Sequence, residues 1–140
     1  MNLMSRAADY ATRAMVHVAS AEKGDTPTTQ EIAERQGISQ VFLQKIVQRL
    51  ARAGLLRTQR GASGGIALSQ PPAEISLRQI VEAMEGPITL NRCLQGPGEC
   101  FRETVCPVHE VCAKIQSDML ATLESSTLDQ LVMRGRELGN

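Results

Sequence analysis

The four cysteines of this 140-residue chain lie together in one short stretch. They are Cys93, Cys100, Cys106 and Cys112, separated by six, five and five residues, and His109 lies between the last two. In a reducing compartment, clustered thiols bind metal more often than they form disulfides. These intervals are longer than the Cys-x-x-Cys spacing of structural zinc sites and suit a loop that wraps a larger group. An iron–sulfur cluster, whose irons are held by thiolates, fits this pattern.

Two other chemistries stay open for these thiols. The cysteines could bind a zinc ion, or they could form reversible disulfides as redox-active thiols. Enzyme chemistry is disfavoured, because the two histidines lie far apart in sequence and no carboxylate pair, nucleophile motif or cofactor loop accompanies them. We therefore expect no small-molecule substrate.

The composition predicts a single domain built mainly from helices. The chain is 42% hydrophobic but has only two phenylalanines, one tyrosine and no tryptophan, so its core must be aliphatic. No apolar run approaches the roughly 20 residues of a membrane span, and the first residues lack the hydrophobic segment of a secretory signal. We expect a cytoplasmic protein with no membrane partner.

The net charge is zero, but the charges are unevenly distributed. Residues 35–73 contain no acidic side chain, whereas the segments before and after them are acidic. The cations of this basic block are Arg35, Lys45, Arg49, Arg52, Arg57 and Arg60. A basic block of this kind is the expected footprint for the phosphates of double-stranded DNA.

Helical periodicity predicts three helices in the first part of the chain. Ser5 caps the first, over residues 6–21, and Thr28 opens a short second helix by a capping box with Glu31. Gly37 then turns the chain, and Ser39 caps a third helix. That helix has an apolar stripe opposite a face of glutamines and cations, the stripe being Leu43, Ile46, Val47 and Leu50. Two helices joined by a tight glycine turn indicate a helix-turn-helix.

A glycine-rich hairpin is predicted after the third helix. Residues 55–58 and 66–69 form two short strands, and residues 59–65 join them. A hairpin in this place is typical of the wing of a winged helix-turn-helix, with Arg60 at its tip to enter a minor groove. A phosphate-binding loop would instead need a lysine and then a helix after the glycines.

The C-terminal part is predicted to contain two more long elements and a loop. Ser76 caps a fourth helix, and Pro107 begins a long apolar helix through about residue 124, which is suited to pair with a second subunit. Ser126 and Asp129 are expected to cap a short last helix. The fold class is therefore mainly α, a winged helix-turn-helix with a two-stranded wing and a long C-terminal dimerisation helix. Its parts are a DNA-binding domain (1–86), a cysteine-rich loop (87–106) and a dimerisation region (107–140).

The third helix and the wing supply the predicted DNA contacts. The N-terminal part of a recognition helix reaches deepest into the major groove, so Gln40, Val41 and Gln44 are expected to touch bases. The cations after them should mainly meet phosphate. The full predicted set is Thr28, Ser39, Gln40, Val41, Gln44, Lys45, Arg49, Arg52, Arg57 and Arg60.

Several motifs in order resemble a known family. The start ADYATRAM, the segments ERQGIS and QRLARAGLLRTQRGASGGIALSQP, the loop with Cys93, Cys100 and Cys106, and STLDQL near the end carry this resemblance. The chain is similar to the bacterial winged-helix, iron–sulfur-dependent transcription regulators that include the iron–sulfur assembly regulator IscR and the nitric-oxide-sensitive repressor NsrR. The resemblance implies a homodimeric regulator, a repressor, whose operator binding responds to nitric oxide, redox or iron–sulfur status.

The resemblance also implies a ligand set. Cys93, Cys100 and Cys106 match the three cysteines that hold the cluster in the family. The fourth ligand varies, and three residues compete: His109, Asp9 from the partner subunit, and Cys112. Cys112 falls where relatives carry an apolar residue on the dimer helix, which favours a buried thiol there. Six residues, rather than the common five, separate the first two cysteines, so a two-iron and a four-iron cluster both stay open.

Overall fold

The computed structural model of this chain describes residues 2–59 and 64–139. In chain order the elements are α1 (Arg6–Ser20), α2 (Thr29–Gln36), α3 (Gln40–Arg52), β1 (Leu56–Thr58), β2 (Ile66–Leu68), α4 (Leu77–Glu85), α5 (Pro107–Ser125) and α6 (Leu128–Glu137). Short 3₁₀ turns cover Pro72–Glu74 and Arg92–Leu94. β1 and β2 pair antiparallel, with Leu56 opposite Leu68. The predicted fold class, mainly α with a two-stranded wing after a helix-turn-helix, is confirmed.

The first four helices begin where the sequence predicts. The Ser39 hydroxyl accepts a hydrogen bond from the Phe42 amide at 3.2 Å. Thr28 forms its capping box with Glu31, each side chain accepting from the other residue's amide at 3.1 Å. The other predicted caps, Ser5 and Ser76, begin α1 and α4. Each cap satisfies amides that have no partner inside the helix, so local sequence is enough to set these ends.

The turn between α2 and α3 depends on a glycine. Gly37 has φ of +64°, a left-handed conformation that side-chain-bearing residues adopt at a cost. This tight turn lets α3 begin shortly after α2 ends. The polar face of α3 remains outside the core.

One aliphatic core holds the DNA-binding helices and the last helix together. Its fully buried side chains include Met15, Ile32, Leu43, Leu50, Ile80 and Leu128. Leu128 belongs to α6, which packs against α1. α6 follows the long helix α5 in sequence, but it packs on the core of the DNA-binding helices.

The predicted cap of α6 is wrong by one residue. The Ser126 hydroxyl donates back to the Thr122 carbonyl at 2.8 Å and so belongs to the end of α5. The Ser126 carbonyl accepts from the Leu77 amide at 2.8 Å, which ties the α5–α6 junction to the start of α4. Thr127 is the N-cap instead, and its amide donates to the Gln130 side chain at 3.2 Å. The hydrogen bond between Leu77 and Ser126, which are distant in sequence, thus determines which residue caps α6.

α5 packs against the core near its C-terminal end, whereas its N-terminal half exposes apolar side chains. Leu123 is its one buried residue, and Glu124 pairs with Arg78 of α4 at 3.7 Å. Val108, Val111 and Ile115 of the predicted apolar stripe are 63%, 59% and 48% exposed. Within the described part of the chain, no helix has both the length and the apolar character to cross a membrane.

Candidate functional site

The polar face of α3 forms an exposed surface. Its first turns present Gln40, Val41 and Gln44 to solvent, and its later turns present Lys45 and Arg52. The apolar stripe on the opposite side is buried in the core. The side chains predicted to meet bases and those predicted to meet phosphates therefore share one surface.

A cleft of about 360 Å³ lies between the start of α2, the start of α3 and the wing. The predicted residues Thr28, Gln40 and Gln44 all line it. The other lining residues are Thr29, Gln30, Thr58, Gln59, Gly64, Gly65 and Ile66. No charged side chain is among these lining residues. Hydroxyl and amide groups both donate and accept hydrogen bonds, as contacts to base edges and phosphate oxygens require.

Sequence reasoning did not select four polar residues of this cleft: Thr29, Gln30, Thr58 and Gln59. They line it because the wing folds back over the start of α2, which is a contact between segments distant in sequence. The only local signal was their polar type, and most polar residues of that type are solvated surface.

The base of the wing is anchored on the segment before α2. The Ile66 amide donates to the Pro27 carbonyl at 2.8 Å, and the Gln59 amide donates to the Gly65 carbonyl at 2.8 Å. Gly65 lies so close to Thr26 that a Cβ there would stand 2.1 Å from the Thr26 carbonyl oxygen. Glycine is therefore required for the wing to reach this position.

Gly65→Ala is expected to displace the wing from this anchor. A Cβ at 2.1 Å from a backbone oxygen cannot be accommodated unless one strand moves. We expect operator affinity to fall about tenfold, or about 1.4 kcal/mol, because wing contacts are lost. Fluorescence anisotropy with an operator duplex measures the change. Ser69→Ala, at an exposed position just after β2, is the control and should bind normally. Unchanged affinity of Gly65→Ala would contradict the role of the wing anchor.

The predicted wing-tip contact, Arg60, lies outside the described residues. The neighbouring predicted cation, Arg57, lies on β1 and is exposed. Its exposure is compatible with the predicted phosphate contact, which stays a prediction.

Arg49 has a partner that the sequence did not reveal. Its Nη1 donates to the carbonyl of Met84, in the last turn of α4, at 3.2 Å. This bond ties the last turn of α3 to the end of α4. A guanidinium has five N–H donors, so a bond to Met84 and the predicted phosphate contact are compatible. No sequence signal could have found this pair, since the acceptor is a backbone carbonyl.

The cysteine loop starts where α4 ends, and it returns to α5. The Leu90 amide donates to the Gln116 side chain of α5 at 2.8 Å. Cys93 lies in the 3₁₀ turn Arg92–Leu94, Cys106 immediately precedes α5, and Cys112 lies within α5. All four cysteines are half-buried and form no disulfide.

The neighbouring thiols act electrostatically on Cys93. Burial raises the pKa of the Cys93 thiol, and the neighbouring thiols of Cys100, Cys112 and Cys106 raise it further. A thiolate disfavours a second thiolate nearby, and this repulsion is what a bound cation relieves. Across residues 2–59 and 64–139, however, no three Cys, His, Asp or Glu side chains are grouped so that they could hold a metal ion.

The two non-thiol candidates for the fourth ligand have different surroundings. The Nδ1 atom of His109 is buried and has no hydrogen-bond partner, which is unusual for a polar atom in a folded protein. Asp9 is exposed on the first turn of α1, where it pairs with Arg13 at 3.7 Å.

A cavity larger than the cleft at the wing lies elsewhere in the described part of the chain. It measures about 570 Å³, and α1, α2 and α6 border it. Arg13 and Arg134 line it but are paired with Asp9 and Glu137. Burial, and then the positive charge of Arg35, lower the pKa of His17 there. Its Nδ1 atom lies 3.3 Å from the side-chain nitrogen of Gln36, so the imidazole packs between α1 and α2.

Comparison with known proteins agrees with this architecture. The model of the Rrf2 family, described as iron-dependent transcriptional regulator, matches residues 4–134. An rrf2-like protein of Rhodobacter capsulatus is 32% identical over 134 residues, which are 90% of this chain and 89% of its own. The structure of T. potens IscR is similar with a TM-score of 0.78 and 26% identity, over 96% of this chain and 89% of that one.

A second kind of relative is equally similar in structure. CymR, named as the global cysteine regulator of B. subtilis, has a TM-score of 0.74 and 27% identity, over 96% of this chain and 98% of its own. These relatives are named as regulators, which confirms the expectation that the chain is not an enzyme. Since the family model matches residues 4–134 and the Rhodobacter relative is named as an HTH-type transcriptional regulator, this protein belongs to the Rrf2 family and is a DNA-binding transcriptional regulator.

Proposed function

We propose that this protein is a homodimeric transcriptional repressor whose operator binding is controlled by an iron–sulfur cluster in the cysteine loop. Cys93, Cys100 and Cys106 would hold the cluster, which supplies a group that reacts with nitric oxide and oxidants. One observation carries the proposal: the half-buried thiols of Cys93, Cys100 and Cys106 are followed, in the first turn of α5, by His109, whose buried Nδ1 has no hydrogen-bond partner.

The donor set fits such a cluster chemically. Thiolates are the preferred ligands of iron–sulfur clusters, and an imidazole can replace one of them. The donors need not converge beforehand, because binding energy can close a loop around its cofactor. The loop contains Gly96, Pro97 and Gly98 and has no long element before α5, so its backbone can adjust.

Among the three candidates for the fourth ligand, we propose His109. Its buried Nδ1 lacks a partner, whereas the Asp9 carboxylate is exposed and paired with Arg13. Cys112 is the alternative thiol, and its charge also raises the pKa of Cys93. A nitrogen ligand would make the cluster more labile than four thiolates, which suits a sensor.

The end of α4 offers a route from the loop to the DNA-reading helix. Met84 accepts from Arg49 of α3, and Glu85 accepts a hydrogen bond from the Ser5 hydroxyl that caps α1. Gly86 follows directly and leads into the cysteine loop. A change of loop conformation can therefore move α1 and α3 together, and operator affinity follows if the loop has two stable arrangements.

A cluster-free thiol regulator is the second candidate. It is favoured by the four half-buried cysteines, which form no disulfide and, in the described part of the chain, are not grouped around a metal. Similarity to CymR, one of whose Staphylococcus aureus structures is an oxidised form, is compatible with it. In that case the same loop would respond by forming disulfides.

Metal analysis separates the two candidates. We expect protein purified without oxygen to be brown, with iron and sulfide in equal amounts and an absorption band that nitric oxide removes. Zinc without iron would indicate a zinc-stabilised regulator. A colourless, metal-free protein that forms loop disulfides on oxidation would support the thiol regulator and refute the cluster.

The homodimer is proposed to form through the exposed stripe of α5. Ile115→Glu should convert dimers to monomers, because a charge would be buried at the centre of the stripe. Size-exclusion chromatography with light scattering measures the mass. Ser117→Glu places the same charge at an exposed position on the opposite side of α5 and should remain dimeric. A dimeric Ile115→Glu protein would exclude this face as the interface.

A further inference from the structure

The two sides of α3 differ in charge. Gln40 and Gln44 line the cleft on the wing side, whose described lining residues carry no charge. On the other side, a separate cavity of about 280 Å³ lies between α3 and residues of α1 and α4. Its lining residues from α3 are Phe42, Lys45, Ile46, Gln48, Arg49 and Arg52. The cations of α3 are therefore concentrated away from the wing, and one of them is already bonded to Met84.

Val41 is exposed between the two glutamines. Its side chain is 67% exposed, although α3 buries its other aliphatic residues. A single exposed valine is unremarkable by itself. Here it lies on the first turn of the helix that follows the helix-turn-helix glycine, which is the turn that reaches base edges.

These three side chains have a defined base chemistry. A glutamine carboxamide can donate to N7 and accept from N6–H of adenine, and an apolar side chain can contact the C5 methyl group of thymine. Guanine is instead read mainly by arginine or lysine. The first turn of α3, which is fully described, contains neither of these.

We infer that α3 reads A·T base pairs, with Gln40 and Gln44 contacting adenine and Val41 contacting a thymine methyl group. This inference rests on the proposal that the start of α3 enters the major groove. It names the sequence class of the operator half-site: adjacent A·T pairs beneath Gln40, Val41 and Gln44, flanked by phosphates that meet Lys45 and Arg52.

Selection from duplexes with a randomised half-site tests the inference. Full-length protein would be used both as purified without oxygen and after removal of bound metal by a chelator. We expect A·T pairs at two or more adjacent positions of the enriched half-site. Enrichment of G·C pairs at the positions that Gln44→Ala alters would overturn the inference and leave the proposed regulator intact. Failure to enrich any sequence in either form would overturn both.

Modified bases then assign the contacts. Uracil in place of the contacted thymine removes only the methyl group, and 7-deazaadenine in place of the adenine beneath Gln44 removes only N7. Each should weaken wild-type binding about tenfold. Val41→Ala should lose sensitivity to uracil but keep sensitivity to 7-deazaadenine, and Gln44→Ala should show the reverse. A wild-type protein insensitive to both modifications would overturn the inference.

The control variants keep this test interpretable. Val41 and Gln44 are exposed, so their alanine variants should melt like wild type. Lys45→Gln should weaken binding equally to unmodified and modified duplexes, because a phosphate contact is insensitive to the base.

Discussion

Replacing Cys100 by alanine is expected to yield a folded protein without iron. Cys100 is one of the three proposed thiolate ligands, and it lies in a loop outside the aliphatic core. Losing one of three thiolates leaves too few ligands for a stable cluster, so iron and sulfide should fall to background. The melting temperature of the metal-free form should change by only a few degrees, since no core side chain is altered.

Variants at the three competing positions should then identify the fourth ligand. His109→Ala should lose or destabilise the cluster, whereas Asp9→Ala and Cys112→Ala should retain it. All would be purified without oxygen and compared by absorption spectrum and by iron and sulfide content. Loss with Asp9→Ala instead would assign the ligand to the partner subunit, and loss with Cys112→Ala would assign it to the fourth thiol. Full iron content in Cys100→Ala would refute the proposed ligand set.

The second large effect is expected on the salt dependence of operator binding. Lys45, Arg52 and Arg57 are exposed cations on α3 and β1 without an acidic partner among the described ion pairs. Each phosphate contact contributes about −0.9 to the slope of log K against log salt. The triple glutamine variant of a dimer should therefore have a slope shallower by about 5, and its affinity should fall about 10³-fold at physiological salt.

A matched triple variant separates local contacts from overall charge. Lys23, Arg134 and Arg136 are exposed and belong neither to α3 nor to β1: Lys23 lies on the α1–α2 connection, and the two arginines lie on α6. Changing them to glutamine alters the net charge equally but should leave the slope nearly unchanged. Fluorescence anisotropy at several salt concentrations measures both proteins. An equal loss of slope in the two triple variants would show that the α3 and β1 cations do not contact phosphate specifically.

Arg49 is not part of the triple variant, because replacing it would change operator binding in two ways. Its bond to the Met84 carbonyl joins α3 to α4, so its loss would change helix position as well as charge. The sequence placed Arg49 among phosphate contacts on charge alone. Only the packing of α3 on α4 reveals the second partner.

The sequence by itself determined the local elements and the surface that they expose. Caps such as Ser39 and Thr28, and the glycine at Gly37, act through hydrogen bonds and backbone conformations within a few residues. For the same reason the apolar stripe of α3 identified its buried face, and the charge pattern identified the basic face. Four cysteines in one short stretch of sequence indicated thiol or metal chemistry.

The tertiary structure alone decided the contacts between segments distant in the chain. The hydrogen bond from the Leu77 amide to Ser126 moved the cap of α6 to Thr127. The Thr26 carbonyl leaves room only for glycine at position 65, at the base of the wing. It also left His109 with a buried nitrogen lacking a partner. Such contacts depend on how whole elements pack against each other, and their partners are often backbone atoms that every residue carries. Side-chain type and spacing along the sequence therefore do not predict these contacts.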